Sequence, residues 1–343
     1  MKKIYSLALL MAAGVTFGQT FDSFTSTGDL IDNGWTHHSG SGIGQIEIMT
    51  TASDNGNSLS FAGLAASTGN RISIVAGNNE DVNKPFTTAI TSGSAYYSAL
   101  IKVQNTTGLN ANNVTGDYFL GLTVTTGNGV DPNPEVTSFY GRLYVKKGTA
   151  DNTVNIGVLN TSGGTATPSY VATDFAVNTT LFVVVKYDFA SNTATLWVNP
   201  TPGGSEVAGT ANATGSTAAA TTLGGIFIRQ GGNATAGTGN VEIDEMRVGE
   251  TYASVTPATT AGVKESAIAG LKVYPNPLKG NVLNITSDAN ATKAVAIFDV
   301  LGKQVVNTKT ANTSINVSSL TSGVYIVKIT EEGKTATKKL VVQ

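Results

Sequence analysis

The chain has 343 residues, a formal net charge of −2, 13% charged, 41% apolar and 7% aromatic residues. That apolar fraction supports real cores and excludes a chain disordered throughout. The absence of cysteine excludes a disulfide framework, a thiolate metal site and a cysteine nucleophile.

Lys2 and Lys3 precede an apolar run from Ile4 to Val15. Thr16-Phe17-Gly18 then places small residues at the positions expected before a cleavage point. This order predicts a signal peptide over residues 1–18, with the mature chain starting at Gln19. The run is shorter than the roughly 20 apolar residues of a membrane helix. No later segment qualifies, so no transmembrane segment is expected in the mature chain. Residues 19–270 hold ten Lys or Arg and nineteen acids, a balance of −9. Residues 271–343 hold nine Lys and four acids, a balance of +5. An acidic body argues against nucleic acid as a partner.

Residues 19–255 predict one large β domain. Strand patterns fall at Gln45–Met49, Arg71–Val75, Ala95–Val103, Tyr118–Val124 and Ser138–Val145. They continue at Asn152–Leu159, Leu181–Tyr187, Thr193–Val198, Gly225–Arg229 and Val241–Val248. Gly, Asn, Asp and Pro clusters separate them and supply turn chemistry. With no helical period in between, a two-sheet sandwich fits better than an open sheet. Leu181–Tyr187 is apolar on both faces, which predicts a central strand covered on both sides. Residues 201–222 read as a long surface loop or a weak edge strand, and 256–270 as a linker.

Val241-Glu242-Ile243-Asp244-Glu245-Met246-Arg247 carries the sharpest catalytic pattern. Some jelly-roll glycoside hydrolases carry Glu-x-Asp-x-Glu on one strand. Alternation then puts the carboxylates on one face, as a pair about 5–5.5 Å apart requires. Here Glu242 and Asp244 would share a face, but the third position is Met246, or Arg247 in a longer form. The pattern is therefore read as structural, with Asp244 bonded to a neighbouring loop, and no catalytic residue is assigned. His37 and His38, adjacent on the chain, make a poor metal pair and read as exposed loop residues. Structural calcium is the one cofactor considered. Its candidate loops are Asp54-Asn55-Gly56-Asn57, Asn78-Asn79-Glu80-Asp81 and Asp131-Pro132-Asn133, for which ordinary turns are the preferred reading. Of the two tryptophans, Trp197 reads as core and Trp35 as the candidate ligand-binding residue.

After Leu271, seven short strand patterns follow: Leu271–Tyr274, Val282–Thr286, Ala294–Asp299, Gln304–Asn307, Thr313–Val317, Gly323–Thr330 and Thr335–Val342. Seven strands in about seventy residues predict a small immunoglobulin-like sandwich. Four motifs stand in order within it: Val273-Tyr274-Pro275-Asn276-Pro277, Ala296 to Lys303 with Leu301-Gly302-Lys303 as a tight turn, Leu320 to Lys328 with Gly323 and Tyr325, and Lys338-Lys339-Leu340-Val341-Val342. Together they resemble the type A C-terminal sorting domain of the type IX secretion system. The resemblance implies Pro275, Asn276, Pro277, Gly302, Lys303, Gly323, Tyr325, Lys338 and Lys339 as sorting-signal residues. It also implies export through the periplasm and an outer-membrane translocon, with secretion or surface attachment. A sortase-like peptidase cutting within 256–270, and joining to surface lipopolysaccharide, belong to the same expectation.

Residues 21–255 resemble, less specifically, concanavalin A-like or laminin-G-like jelly rolls. The resemblance is carried by Val184 to Asp188, Leu196 to Pro200 and Ile243 to Gly249. The whole chain thus reads as all-β, a large jelly-roll-like sandwich followed by a small immunoglobulin-like one. Its expected function is non-enzymatic binding of glycans or surface partners. A polysaccharide-active hydrolase or lyase, and a structural surface or matrix component, are the alternatives.

Overall fold

The structure, a computed structural model, describes residues 20–40, 44–128, 135–163, 165–259 and 268–343. The signal-peptide reading of 1–18 and the loop at Asp131 and Asn133 lie outside them, as do 260–267 of the linker. The chain divides into two units, Met1–Thr259 and Thr260–Gln343.

The first unit is two antiparallel sheets face to face. The first sheet runs Thr210–Asn212, Thr193–Val198, Thr180–Asp188, Ser94–Val103, Val241–Gly249, Arg71–Ile74, Glu47–Met49, Gly28–Asp29, with Thr20–Asp22 also pairing to Val241–Gly249. The second runs Ser169–Tyr170, Thr153–Leu159, Phe139–Lys147, Asp117–Thr123, Leu223–Arg229, Asp81–Ile90, Thr36–Ser39, with Phe175–Ala176 also on Thr153–Leu159. All ten strands predicted for this domain are present.

Alternation explains the core. Leu181, Val183, Val185 and Tyr187 point inward beside Ala95, Tyr97, Ala99 and Ile101. They meet Leu120, Leu122, Leu143, Val145 and Ile156 of the second sheet. Each fully buried aliphatic side chain contributes about 1.5–3 kcal/mol. Tyr97 locks the two layers by donating its hydroxyl to the Gly141 carbonyl at 2.7 Å. Gly141 lies at φ 52°, where a bulge brings both Tyr140 and Leu143 inward.

The outward residues of Thr180–Asp188 are covered as well. Phe182 and Val184 join Tyr96, Leu100 and Trp197 in a second cluster, capped by Leu59, Leu64, Tyr252 and Val255. A short helix, Tyr252–Val255, supplies the last two, its N-terminus capped by Thr251.

Asp81–Ile90 is the longest strand that the pattern reading does not include. Its first residue, Asp81, falls in the Asn78–Asp81 loop of the calcium candidates, and Pro85 argues against a strand interior. Thr36–Ser39 pairs only with Asp81 to Asn83, so Pro85 has a partner on one side alone, Gly225. Proline is tolerated at such edges. Thr210–Asn212 settles the 201–222 stretch as holding an edge strand. Residues 256–259 are not free linker. Ala65 N–H donates to Pro257, Gly203 N–H to Thr256 and Thr259 N–H to the Gly63 carbonyl, all within 2.9 Å.

The second unit has the seven predicted strands in two sheets. One runs Lys272–Tyr274, Val282–Thr286, Ser314–Asn316; the other runs Gln304–Thr310, Lys293–Phe298, Gly323–Glu331, Lys334–Val342. Leu283, Ile285, Val295, Ile297, Val327, Ile329 and Leu340 form its core. Lys293 and Glu331, directly opposite in register, make a buried ion pair at 3.0 Å.

Candidate functional site

The carboxylate strand Val241–Gly249 crosses the middle of the first sheet, and every residue in it is buried. Its pairing with Ser94–Val103 slips: Asp244 faces Leu100, and the next pair is Arg247 with Ser98. Glu245 and Met246 therefore oppose one residue, Ala99, in a β-bulge, with Glu245 at φ 50°. Val241, Ile243, Met246 and Val248 all enter the main core. The expectation that Met246 follows Asp244 on the carboxylate face is corrected, because the bulge turns Met246 inward and sets Glu245 beside Asp244.

None of these carboxylates faces a cleft. Glu242 pairs with Arg71 at 2.8 Å and accepts from Gln104 at 3.0 Å. Asp244 accepts the N–H groups of Leu59 at 2.8 Å and Glu245 at 2.7 Å. Glu245 accepts the Thr68 N–H at 2.8 Å and pairs with Arg247. Burial pushes the Asp244 carboxyl up to about 8, against the two N–H bonds. Burial raises Glu245 as well, against its bond from Thr68 and its Arg247 partner. These groups fasten the loop around residues 59–68 over the first sheet.

Trp35 is only 3% exposed. Its indole N–H donates to Asp22 at 2.9 Å, and Lys84 pairs with the same carboxylate while lying over the ring. It presents no flat face to a sugar, which corrects its reading as the ligand-binding residue. Trp35→Phe is expected to lose about 1 kcal/mol of stability for the missing bond, read by denaturant unfolding, with ligand binding unchanged.

Trp197 is core, as expected, its indole donating to the Val207 carbonyl at 2.8 Å. His37 and His38 lie on an edge strand, half-buried, instead of in an exposed loop. Burial and the neighbouring His37 lower His38 to about 4. In the calcium-candidate loops, Asp54 pairs with Lys102 at 2.5 Å, Glu80 accepts the Ile46 N–H at 2.7 Å, and Asp81 accepts from Ser39 and Gln230. Among the described residues no three His, Asp or Glu side chains come together as a metal site.

The outer face of the second sheet carries a different chemistry. Strand Phe139–Lys147 turns Phe139, Arg142, Tyr144 and Lys146 to it, while Leu143 and Val145 go to the core. Asp117–Thr123 adds Tyr118, and Leu223–Arg229 adds Phe227 and Arg229. Phe139 and Phe227 meet edge to face at 4.6 Å, and Tyr118 packs on Tyr144 at 5.5 Å and on Phe227 at 5.9 Å. Gly121, opposite Phe227, makes this possible, since a Cβ there would lie 2.9 Å from the ring.

Two guanidinium groups flank Tyr118, Arg142 at 4.6 Å and Arg229 at 4.5 Å from its ring centre. Arg229 pairs with Asp117 at 2.5 Å. Arg142 is 7% exposed, donates to the Thr161 carbonyl at 3.2 Å, and its buried Nε has no hydrogen-bond partner among the described residues. Lys146 sits 4.1 Å above the Tyr170 ring and donates to the Asn112 carbonyl. Beside it a cavity of about 750 Å³ is lined by Lys146, Lys147, Asn112, Asn155, Thr149 and Asp174, among others. Burial pushes the Tyr144 hydroxyl up to about 12, so it stays a neutral donor. The pattern reading missed this group. The available signal was Arg142, Tyr144 and Lys146 at strand spacing in a domain poor in basic residues.

In the second unit, Pro275 and Pro277 are exposed and both follow cis peptide bonds. Asn276 between them is bonded to the last strand, donating to the Lys339 carbonyl at 2.8 Å and accepting the Val341 N–H at 2.9 Å. Gly302, at φ 81°, and Lys303 close the exposed hairpin on Asp299. Val300 and Leu301 at that tip are 76% and 90% exposed. Tyr325 is buried and donates to the Thr321 carbonyl. Gly323 opens the strand paired with Lys334–Val342, on which Lys338 and Lys339 lie.

Comparison with known proteins separates the two units. A curated relative, ulvan lyase NLR42 of Nonlabens ulvanivorans, is 36% identical over 89 residues, 25% of this chain. The match spans only 16% of that relative's length. Among solved structures, a sialidase aligns over 68% of this chain and 19% of its own, with 12% identity and a TM-score of 0.37. The carbohydrate recognition domain of Emp47p aligns over 66% and 96%, with 13% identity and a TM-score of 0.33. The lumenal domain of VIP36, bound to Ca2+ and Man3GlcNAc, aligns over 56% and 83%, with 13% identity and a TM-score of 0.33. Scores this low carry no argument about function. No helix among the described residues is long and apolar enough to cross a membrane. Residues 272–343 match the family of secretion system C-terminal sorting domains. This segment is a type IX sorting domain, and it marks the protein for export to the cell surface or beyond.

Proposed function

We propose that the exported domain binds polysaccharide on the outer face of its second sheet, without cleaving it. The observation that carries this is the contrast between the two outward faces. One is sealed by a loop held on buried carboxylates; the other sets Tyr118 and Phe139, half-buried, beside guanidinium, ammonium and amide groups. Flat apolar rings bordered by polar groups suit sugar rings. Export fits a ligand found outside the cell. Release or lipopolysaccharide attachment after a peptidase cut belongs to the same reading.

A glycan array probed with the mature chain tests it. Binding without product release is expected, and Tyr118→Ala should weaken it about tenfold, the loss of a stacking contact worth about 1.4 kcal/mol. The stretch shared with an ulvan lyase motivates one alternative, a polysaccharide-cleaving enzyme. Turnover of any bound polymer would favour that alternative. No binding to any glycan would leave a structural surface component.

A further inference from the structure

We infer that the ligand of this face is an anionic polysaccharide whose carboxylate or sulfate groups are held by Arg142 and Lys146; the inference rests on the glycan-binding reading above. Elsewhere among the described residues of the first unit the cations are matched. Arg71, Lys84, Lys102, Lys186, Arg229 and Arg247 pair with Glu242, Asp22, Asp54, Glu206, Asp117 and Glu245 respectively. Among the described residues, Arg142, Lys146 and Lys147 have no carboxylate within ion-pair distance. All three lie on one strand, Phe139–Lys147, where alternation turns Arg142 and Lys146 to the outer face and Lys147 to the other side. The surrounding domain is otherwise acidic.

Arg142 is the strongest element. A guanidinium more than nine-tenths buried is costly unless a counter-charge and hydrogen bonds offset its desolvation. Here two aromatic rings and one carbonyl supply part of that, while Nε stays without a partner. A planar acid group is the natural complement of such a fork. Arg142, Tyr144 and Lys146 then repeat as cation, ring, cation at about 7 Å intervals along the strand. That order suits a polymer presenting sugar rings and acid groups in turn. The one carboxylate lining the adjoining cavity, Asp174, is bonded to Thr149 and Asn155 and is not paired with either lysine.

The test uses the mature secreted chain with three polysaccharides as probes: polygalacturonate, a sulfated galactan and neutral galactan. Binding to one or both acidic polymers about tenfold or more tighter than to neutral galactan, and weakening with salt, is expected. Comparing uronate with sulfate distinguishes the two sources of negative charge. Arg142→Gln should weaken binding of the acidic polymer about tenfold more than binding of the neutral one. The variant Lys146→Gln changes a half-buried side chain, so it tests the idea even if Arg142→Gln misfolds. It should flatten the salt dependence. Equal affinity for neutral galactan would overturn the anionic ligand and leave glycan binding standing. Equal binding of single-stranded DNA, or unchanged acidic binding in both variants, would overturn it too. No binding to any polysaccharide would remove both readings.

Discussion

Removing residues 268–343 is expected to leave the passenger in the periplasm, with none in the culture medium or on the cell surface. Cell fractionation followed by immunoblotting reads the result. The removed segment has its own core and two sheets, and the first unit has a separate core of its own. A failure of export would then reflect lost recognition and not misfolding of the cargo. A point variant sharpens the experiment. Lys293→Ala leaves Glu331 buried without its counter-charge, at a cost of about 3–5 kcal/mol. A domain of about seventy residues has little margin beyond that. The full-length variant should therefore stay in the periplasm as the deletion does. Secretion unchanged in both would show the sorting assignment to be wrong. In the exported wild type, mass spectrometry should find the released C-terminus between 260 and 270, because 256–259 are bonded to the first unit.

Asp244→Ala should destabilise the first unit by about 3 kcal/mol, since it leaves two buried N–H groups, of Leu59 and Glu245, without their acceptor. Loosening the loop would also uncover the cluster around Phe182, Val184 and Leu100. Dye binding to exposed apolar surface should rise accordingly. The pH dependence has a definite sign. The folded-state value, pushed up to about 8 by burial, lies above the unfolded value of 3.8. The contribution of Asp244 is thus fully present below pH 4 and lost as pH rises through 8. Urea unfolding of wild type and variant should show the largest difference near pH 4 and a smaller one near pH 9. A difference that grows with pH would mean that the N–H bonds and Arg247 outweigh desolvation, so that the carboxylate is ionised throughout.

Most of the strands were legible because alternation is a local property. Leu181 to Tyr187 shows by itself that both faces are apolar, and the structure covers both. The seven strands of the sorting domain are each bounded by turn residues close in the sequence. Asp81–Ile90 was illegible because Pro85 argues against a strand, and only the placement of its neighbours makes that position an edge. The carboxylate strand shows the limit differently. A period of two puts Met246 after Asp244; the bulge at Glu245 depends on pairing with Ser94–Val103, nearly 150 residues away. Trp35 failed as a ligand candidate for a similar reason, since Asp22 and Lys84 enclose it only in the folded domain.

From the sequence alone came the all-β class, the strand positions and the sorting domain, because turn chemistry, alternation and ordered short motifs are written in neighbouring residues. Only the tertiary structure decided which outward face is sealed and which carries aromatic and basic groups. Burial and charge pairing depend on residues far apart in the chain. Arg142 and Lys146 stand out on the outer face only once the other described cations of the sandwich have been matched with carboxylates from distant parts of the chain.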